Sequence, residues 1–130
     1  GSTYQARYFA SGTAALAAAI TATIRLKGVD KPEVILPAYS CPDLISAAVF
    51  AGAKPVLVDL EANRPWISLE LLPAKMTVNT VAVIAVNLFG IPERLAPLRQ
   101  LTEQAGALLI EDSAQAFPGS NEQGLWQGDR

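Results

Sequence analysis

Short apolar runs alternate with longer stretches rich in small and mixed residues along nearly the whole chain. The spacing predicts a short strand at Arg7–Ala10 and then a helix from Gly12 to about Leu26. The alanine-rich stretch Ala14–Ala22 has high helix propensity there, and Lys27-Gly28 supplies a stop. Glu33–Leu36 reads as a buried strand broken by Pro37, Asp43–Ala51 as a helix ended by Gly52, and Pro55–Asp59 as a third strand. A loop through Trp66 leads to a short helix near Leu69–Lys75. Val81–Val86 is the clearest strand, because its apolar residues run without polar alternation, as they do when both faces are covered. A helix over Pro92–Ala105 and a strand over Ala107–Glu111 complete the series.

This alternation predicts an α/β fold of three layers, αβα, around a mainly parallel sheet. In open sheets of that kind, ligands collect outside the carboxyl ends of the strands. That edge is expected to receive Ser11-Gly12-Thr13, the Pro37–Pro42 turn, Asp59, Asn87 and Asp112.

Composition narrows the chemistry. The 130 residues suit one domain, and with 51% hydrophobic and 17% charged residues they can bury a real core. A net charge of −2 offers nucleic acid nothing to hold. The absence of histidine removes Ser-His-Asp catalysis and imidazole metal sites, and the single Cys41 removes internal disulfides and thiolate zinc clusters. No apolar run approaches the roughly 20 residues of a membrane span, and the start lacks a basic segment leading into a hydrophobic one. A soluble cytoplasmic protein is expected, with neither nucleic-acid nor membrane partners. Gly1-Ser2 reads as a cloning remnant, leaving residues 3–130 as the domain.

Two segments carry candidate chemistry. Ser11-Gly12-Thr13 opens the alanine-rich helix, where unpaired N–H groups and a partial positive charge attract anions; Ser11 equally suits a plain N-cap. Neither GxGxxG nor GxxxxGK[ST] occurs, which weakens dinucleotide and P-loop readings. Glu111-Asp112 brings two carboxylates to the end of a hydrophobic strand, on opposite faces by alternation. No Lys or Arg lies within ten residues of Asp112, so a ligand cation is one partner for it; capping the turn Ser113-Ala114-Gln115 is the other. Asn87 and Asp59 read as turn formers. Tyr39 and Cys41 occupy a proline-bounded turn that could place a side chain over a flat ligand, although a lone cysteine also suits a small buried hydrophobe.

Taken in order, the segments Ser11-Gly12-Thr13-Ala14-Ala15-Leu16, Val34 to Ser40, Gly52 to Asp59, Val86-Asn87-Leu88-Phe89-Gly90 and Ile110 to Ala116 resemble the DegT/DnrJ/EryC1/StrS sugar aminotransferase family. The resemblance implies an aspartate-aminotransferase-like fold, here part of the large domain of a fold-type I enzyme that uses pyridoxal phosphate (PLP). It implies that Gly12, Thr13 and Ala14 meet the cofactor phosphate, that Asp112 pairs with the pyridine nitrogen, and that Gln115 lies beside the ring oxygen. Cys41 stands where many relatives place a stacking aromatic, with Tyr39 as a candidate substitute. The family's Schiff-base lysine follows a Gly-Asp pair resembling Gly128-Asp129, whereas Lys27, Lys31, Lys54 and Lys75 all read as distant from the site.

The expectation is an N-terminal portion of an enzyme that moves an amino group from an amino acid to a nucleotide-linked ketosugar. Alone it is expected neither to catalyse nor to bind PLP. A PLP-dependent sugar dehydratase parent, or a non-catalytic phosphate-binding, self-associating module, are the alternatives. A mean hydropathy of +0.28 with few charges points to a homo-oligomer.

Overall fold

The computed structural model describes residues 5–116. Four strands, β1 (Glu33–Pro37), β2 (Lys54–Val58), β3 (Thr80–Val86) and β4 (Leu108–Asp112), form one all-parallel sheet in the order β2-β1-β3-β4. The helices are α1 (Gly12–Lys27), α2 (Asp43–Phe50), α3 (Leu72–Lys75) and α4 (Leu95–Gln104). Period-two alternation separates two cores. Val34 and Leu36 of β1 pack with Ala17, Ile20, Leu44 and Ala47 of α1 and α2, while Ile35 packs on the other face with Leu72 of α3 and Leu98 of α4. The three expected layers are present.

Local chemistry sets the element ends. Ser11 caps α1 from an extended backbone, its Oγ accepting the Ala14 N–H at 3.1 Å. Gly28 closes the helix in the left-handed region, φ 62°, donating its N–H to Ile24 at 2.9 Å. Between β1 and β3 the register passes from Glu33 opposite Thr80 to Val34 opposite Ala82. The extra residue, Val81, bulges, so that both Val81 and Ala82 join the α1/α2 core.

One predicted element is absent. Residues 7–10 form no strand and are all exposed, because the sheet order leaves them no ladder partner. Helix α4 starts at Leu95 rather than Pro92, since Pro92 and Glu93 spend their polar groups on the neighbouring loop: the Pro92 carbonyl accepts from the Trp66 indole at 2.8 Å. No helix among the described residues is long and apolar enough to cross a membrane.

Candidate functional site

Parallel strands deliver all four carboxyl ends to one edge, and the chain reverses there, stepping from β1 outward to β2 and returning to β3 on the opposite side. Such a reversal opens a crevice between β1 and β3. The tip of α1 reaches the same edge: Thr13 Oγ1 donates to Asp43 Oδ2 at 3.2 Å, and Asp43 begins α2 just past the end of β1. Alternation along β4 places Asp112 with Ile110 on the α1/α2 face and Glu111 with Leu109 on the α4 face. The helix tip and the Asp112 carboxylate therefore share both an edge and a face of the sheet.

At the tip, the Ser11 hydroxyl serves as the N-cap, so the bland reading of that residue holds. The N–H groups of Gly12 and Thr13 lie in the first turn, where no carbonyl of the helix can accept them. A Cβ added at Gly12 would meet nothing within 4 Å, so the backbone there is open to a ligand atom. Ala14 is exposed, but its N–H is already engaged by Ser11. The Asp43 carboxylate beside Thr13 opposes an incoming anion.

Of the two roles expected of Asp112, the structure shows the turn cap. Its Oδ1 accepts the Ala114 N–H at 3.0 Å and so caps the turn, while Oδ2 has no hydrogen-bond partner among the described residues. Gln115 Oε1 accepts the Phe89 N–H at 2.7 Å. Since an N–H can be met only by the carbonyl end of the amide, the Gln115 NH2 group remains to donate outward. Phe89 holds φ 57°, the only non-glycine residue described with positive φ, and Gly90 follows at φ 75°. Backbone of this kind persists only where its surroundings fix it, here through the Gln115 contact.

Cys41 is exposed rather than buried. Tyr39 is exposed nearby and lies 6.5 Å, centroid to centroid, from the Phe89 ring. Asp59 is exposed, and its carbonyl accepts the Ser68 N–H at 2.9 Å, a turn role.

The sequence reading missed a polar cluster behind the site. Asn87, 1% exposed, donates from Nδ2 to Glu111 Oε1 (2.7 Å) and to Ser113 Oγ (2.9 Å), and its Oδ1 accepts the Glu93 N–H (2.8 Å). The buried Glu93 carboxylate accepts the Ile67 N–H at 2.8 Å and the Arg94 N–H at 2.7 Å; burial pushes its carboxyl above the ordinary range, more strongly than these partners pull it down. Arg94 pairs with Glu61 at 2.8 Å, donates to the Ile67 carbonyl at 3.0 Å and lies 4.6 Å from the centre of the Trp66 ring. Its Nε stands 3.6 Å from Glu93, too far for a hydrogen bond. An amide just past an apolar strand, followed six and seven residues on by Glu93 and Arg94, was the available signal.

All four lysines lie at the opposite edge. Lys54 opens β2 and pairs with Glu33 at the start of β1 (3.0 Å), Lys31 precedes β1, and Lys27 Nζ approaches Gly106 ahead of β4. Lys75 stands two residues before Thr77, whose hydroxyl donates to Glu33 at 2.6 Å.

A parallel α/β sheet of this strand order, with helices on both faces, defines a class, and solved structures share its fold. DesV from S. venezuelae, solved with a ketimine intermediate, matches with a TM-score of 0.68 at 30% identity over 78% of this chain. A putative sugar aminotransferase from Streptococcus pneumoniae in its PLP form gives 0.66 at 28% identity over 78%, and the sugar aminotransferase CalS13 from Micromonospora echinospora 0.69 at 25% over 81%. These matches cover 28%, 30% and 30% of the respective structures, so the chain spans under a third of their length. The fold is thus part of a fold-type I aminotransferase domain. A sequence model of the DegT/DnrJ/EryC1/StrS aminotransferase family matches residues 3–129, and the chain belongs to that family. Members solved in PLP and PMP forms make PLP the family's cofactor.

Proposed function

We propose that residues 3–130 are the N-terminal part of the cofactor-binding domain of an enzyme that moves an amino group from an amino acid to a nucleotide-linked ketosugar with PLP. The single observation that carries this reading is the placement of the α1 tip and Asp112 on one edge and one face. The residues fit the cofactor: the open N–H groups of Gly12 and Thr13 would hold its phosphate, Asp112 Oδ2 would keep a proton on the ring nitrogen, and the Gln115 NH2 would donate to the ring oxygen. When bound, PLP supplies an electron-withdrawing ring that stabilises negative charge at the amino-acid α-carbon. Beside it, Cys41 offers little area for stacking, and the exposed Tyr39 is the candidate cover.

For this chain alone a non-catalytic reading is favoured by the lysines, none of which stands at the carboxyl edge. The chain then transfers no amino group and retains no PLP; millimolar ligand touches the edge reversibly. Its cellular place is the cytoplasm. Self-association is expected through a shallow groove of Ala14, Ala18, Ala22, Leu26 and Phe50, where Leu26 and Phe50 are largely exposed.

The test is titration with pyridoxamine phosphate, which carries no aldehyde to label lysines, read by amide chemical shifts. Shifts confined to residues 12–14 and 112–115 support the reading. Shifts at the lysine edge, or none at millimolar ligand, overturn it. Borohydride reduction with PLP that marks one lysine stoichiometrically would contradict the non-catalytic reading, and a monomer by sizing would contradict self-association.

A further inference from the structure

We propose that Asn87 is a positioning residue that fixes the direction of Asp112 from the face of the sheet opposite the ligand; the purpose of that direction rests on the cofactor reading above. Asn87 follows β3 and lies on the α4 face, while Asp112 points to the α1 face. Its two Nδ2 hydrogens go to Glu111 and Ser113, the two residues that flank Asp112, and its backbone N–H goes to the carbonyl of Asp112 itself at 3.0 Å. The Ser113 hydroxyl closes the triangle on Glu111 Oε1 at 3.2 Å. The peptide carrying Asp112 is thus held before, at and after the residue.

The amide is specified rather than merely accommodated. Its oxygen must face the Glu93 N–H and its nitrogen must face the Glu111 carboxylate, so donors and acceptor are all used in one orientation. A leucine would leave the Glu93 N–H facing an apolar side chain and Glu111 and Ser113 with only each other. An aspartate would keep the bond from Glu93 but turn a carboxylate oxygen onto Glu111. Catalysis does not require Asn87 to touch a ligand; it acts through Asp112.

The reporter is the Ala114 amide, whose hydrogen bond ends on Asp112 Oδ1. In the intact 130-residue chain, Asn87→Asp is expected to speed hydrogen exchange at Ala114 by about tenfold, the loss of roughly one hydrogen bond. Adding Glu111→Gln exchanges the amide and carboxylate across the pair and restores the rate to within about threefold of the parent, a smaller change than one bond supplies. A residue serving only general stability would slow or speed exchange across β3 and β4 alike and would gain nothing from the swap.

Unchanged exchange at Ala114 in Asn87→Asp, or a double variant no better than the single one, overturns the proposal. Should Asn87→Asp not fold, Ser113→Ala removes one half-buried flanking partner. Faster exchange at Ala114 in that variant, with β3 amides unchanged, supports the bracing, and no change there overturns it. Pyridoxamine phosphate shifts recorded on the same samples separate the two ideas. Exchange that responds to the swap while the ligand shifts nothing at residues 112–115 sinks the cofactor reading and leaves the positioning intact. The converse pattern does the opposite.

Discussion

Thr13 and Asp43 are thirty residues apart in sequence and joined by one hydrogen bond of 3.2 Å, which ties the first turn of α1 to the first turn of α2. Two helix N-termini, each at the positive end of its dipole, thereby face one carboxylate. Asp43 accepts the Thr13 hydroxyl and sets its negative charge against any anion that approaches Thr13. Asp43→Asn is therefore expected to tighten inorganic phosphate and pyridoxamine phosphate binding by about two- to fivefold, the size of a single screened charge at a helix tip. Isothermal titration at two salt concentrations measures this, and weaker binding in the variant would show that the anion takes another approach.

Asp112→Asn keeps an oxygen for the Ala114 N–H, so the turn should survive. What it loses is the negative charge facing α1. We expect the melting temperature to change little while the shifts that pyridoxamine phosphate induces at residues 112–115 fall by about tenfold at fixed ligand, as for loss of a charge-assisted bond. Equal shifts in both proteins would remove Asp112 from the site.

Two carboxylates give opposite pH signatures. Glu33 accepts from Thr77, its larger stabilising partner, and from Lys54, which lower its pKa. Its contribution is present above its unfolded value and lost as pH falls through the lowered one. Glu93 is raised by burial, so the folded state binds the proton more tightly. Its contribution is full below the ordinary carboxylate range and fades as pH climbs through the raised value. Urea midpoints across pH should lose part of their acid-side slope in Glu33→Gln. In Glu93→Gln the decline above the ordinary carboxylate range should vanish, with an overall cost of about 1–3 kcal/mol for one backbone N–H left facing an amide NH2. Slopes unchanged in both variants would refute the assignment.

Gly90 sits at φ 75°, and a Cβ there would come within 3.1 Å of the Gln115 carbonyl. Gly90→Ala should cost about 1 kcal/mol or more through backbone strain alone. It should also displace the Gln115 amide signal. Stability equal to the parent would mean that the two turns separate freely.

Leu98 is fully buried and anchors α4 on the sheet. Leu98→Ala is expected to destabilise by about 2–5 kcal/mol in chemical denaturation. A cost below this range would show that α4 repacks.

Much of this was readable from residues. Ser11 and Gly28 mark the ends of α1 because capping is local chemistry, and the unbroken apolar run of β3 announces a strand covered on both faces. Strand direction alone puts Asp112 at its edge, whereas no strand precedes α1, and its tip reaches that edge by packing beside α2. Arg7–Ala10 looked like a strand but has no neighbour to pair with, and pairing is not a local property. Asn87 read as a turn former, and its carbonyl does accept the Gly90 N–H, but the three partners of its side chain lie six to twenty-six residues away and left no local signal. Glu93 and Arg94 gave no periodic signal, since their contacts run to Ile67 and Glu61 in a loop that only tertiary folding brings near.

The lysine placement divides the sheet into two poles. The lysine amines crowd one rim, and a strand of five to seven residues, about 17–24 Å, separates them from the opening above Asp112. On the proposed reading, a reagent that labels lysine and an oxyanion offered together would settle at opposite ends of the same molecule, each marking its own pole without disturbing the other.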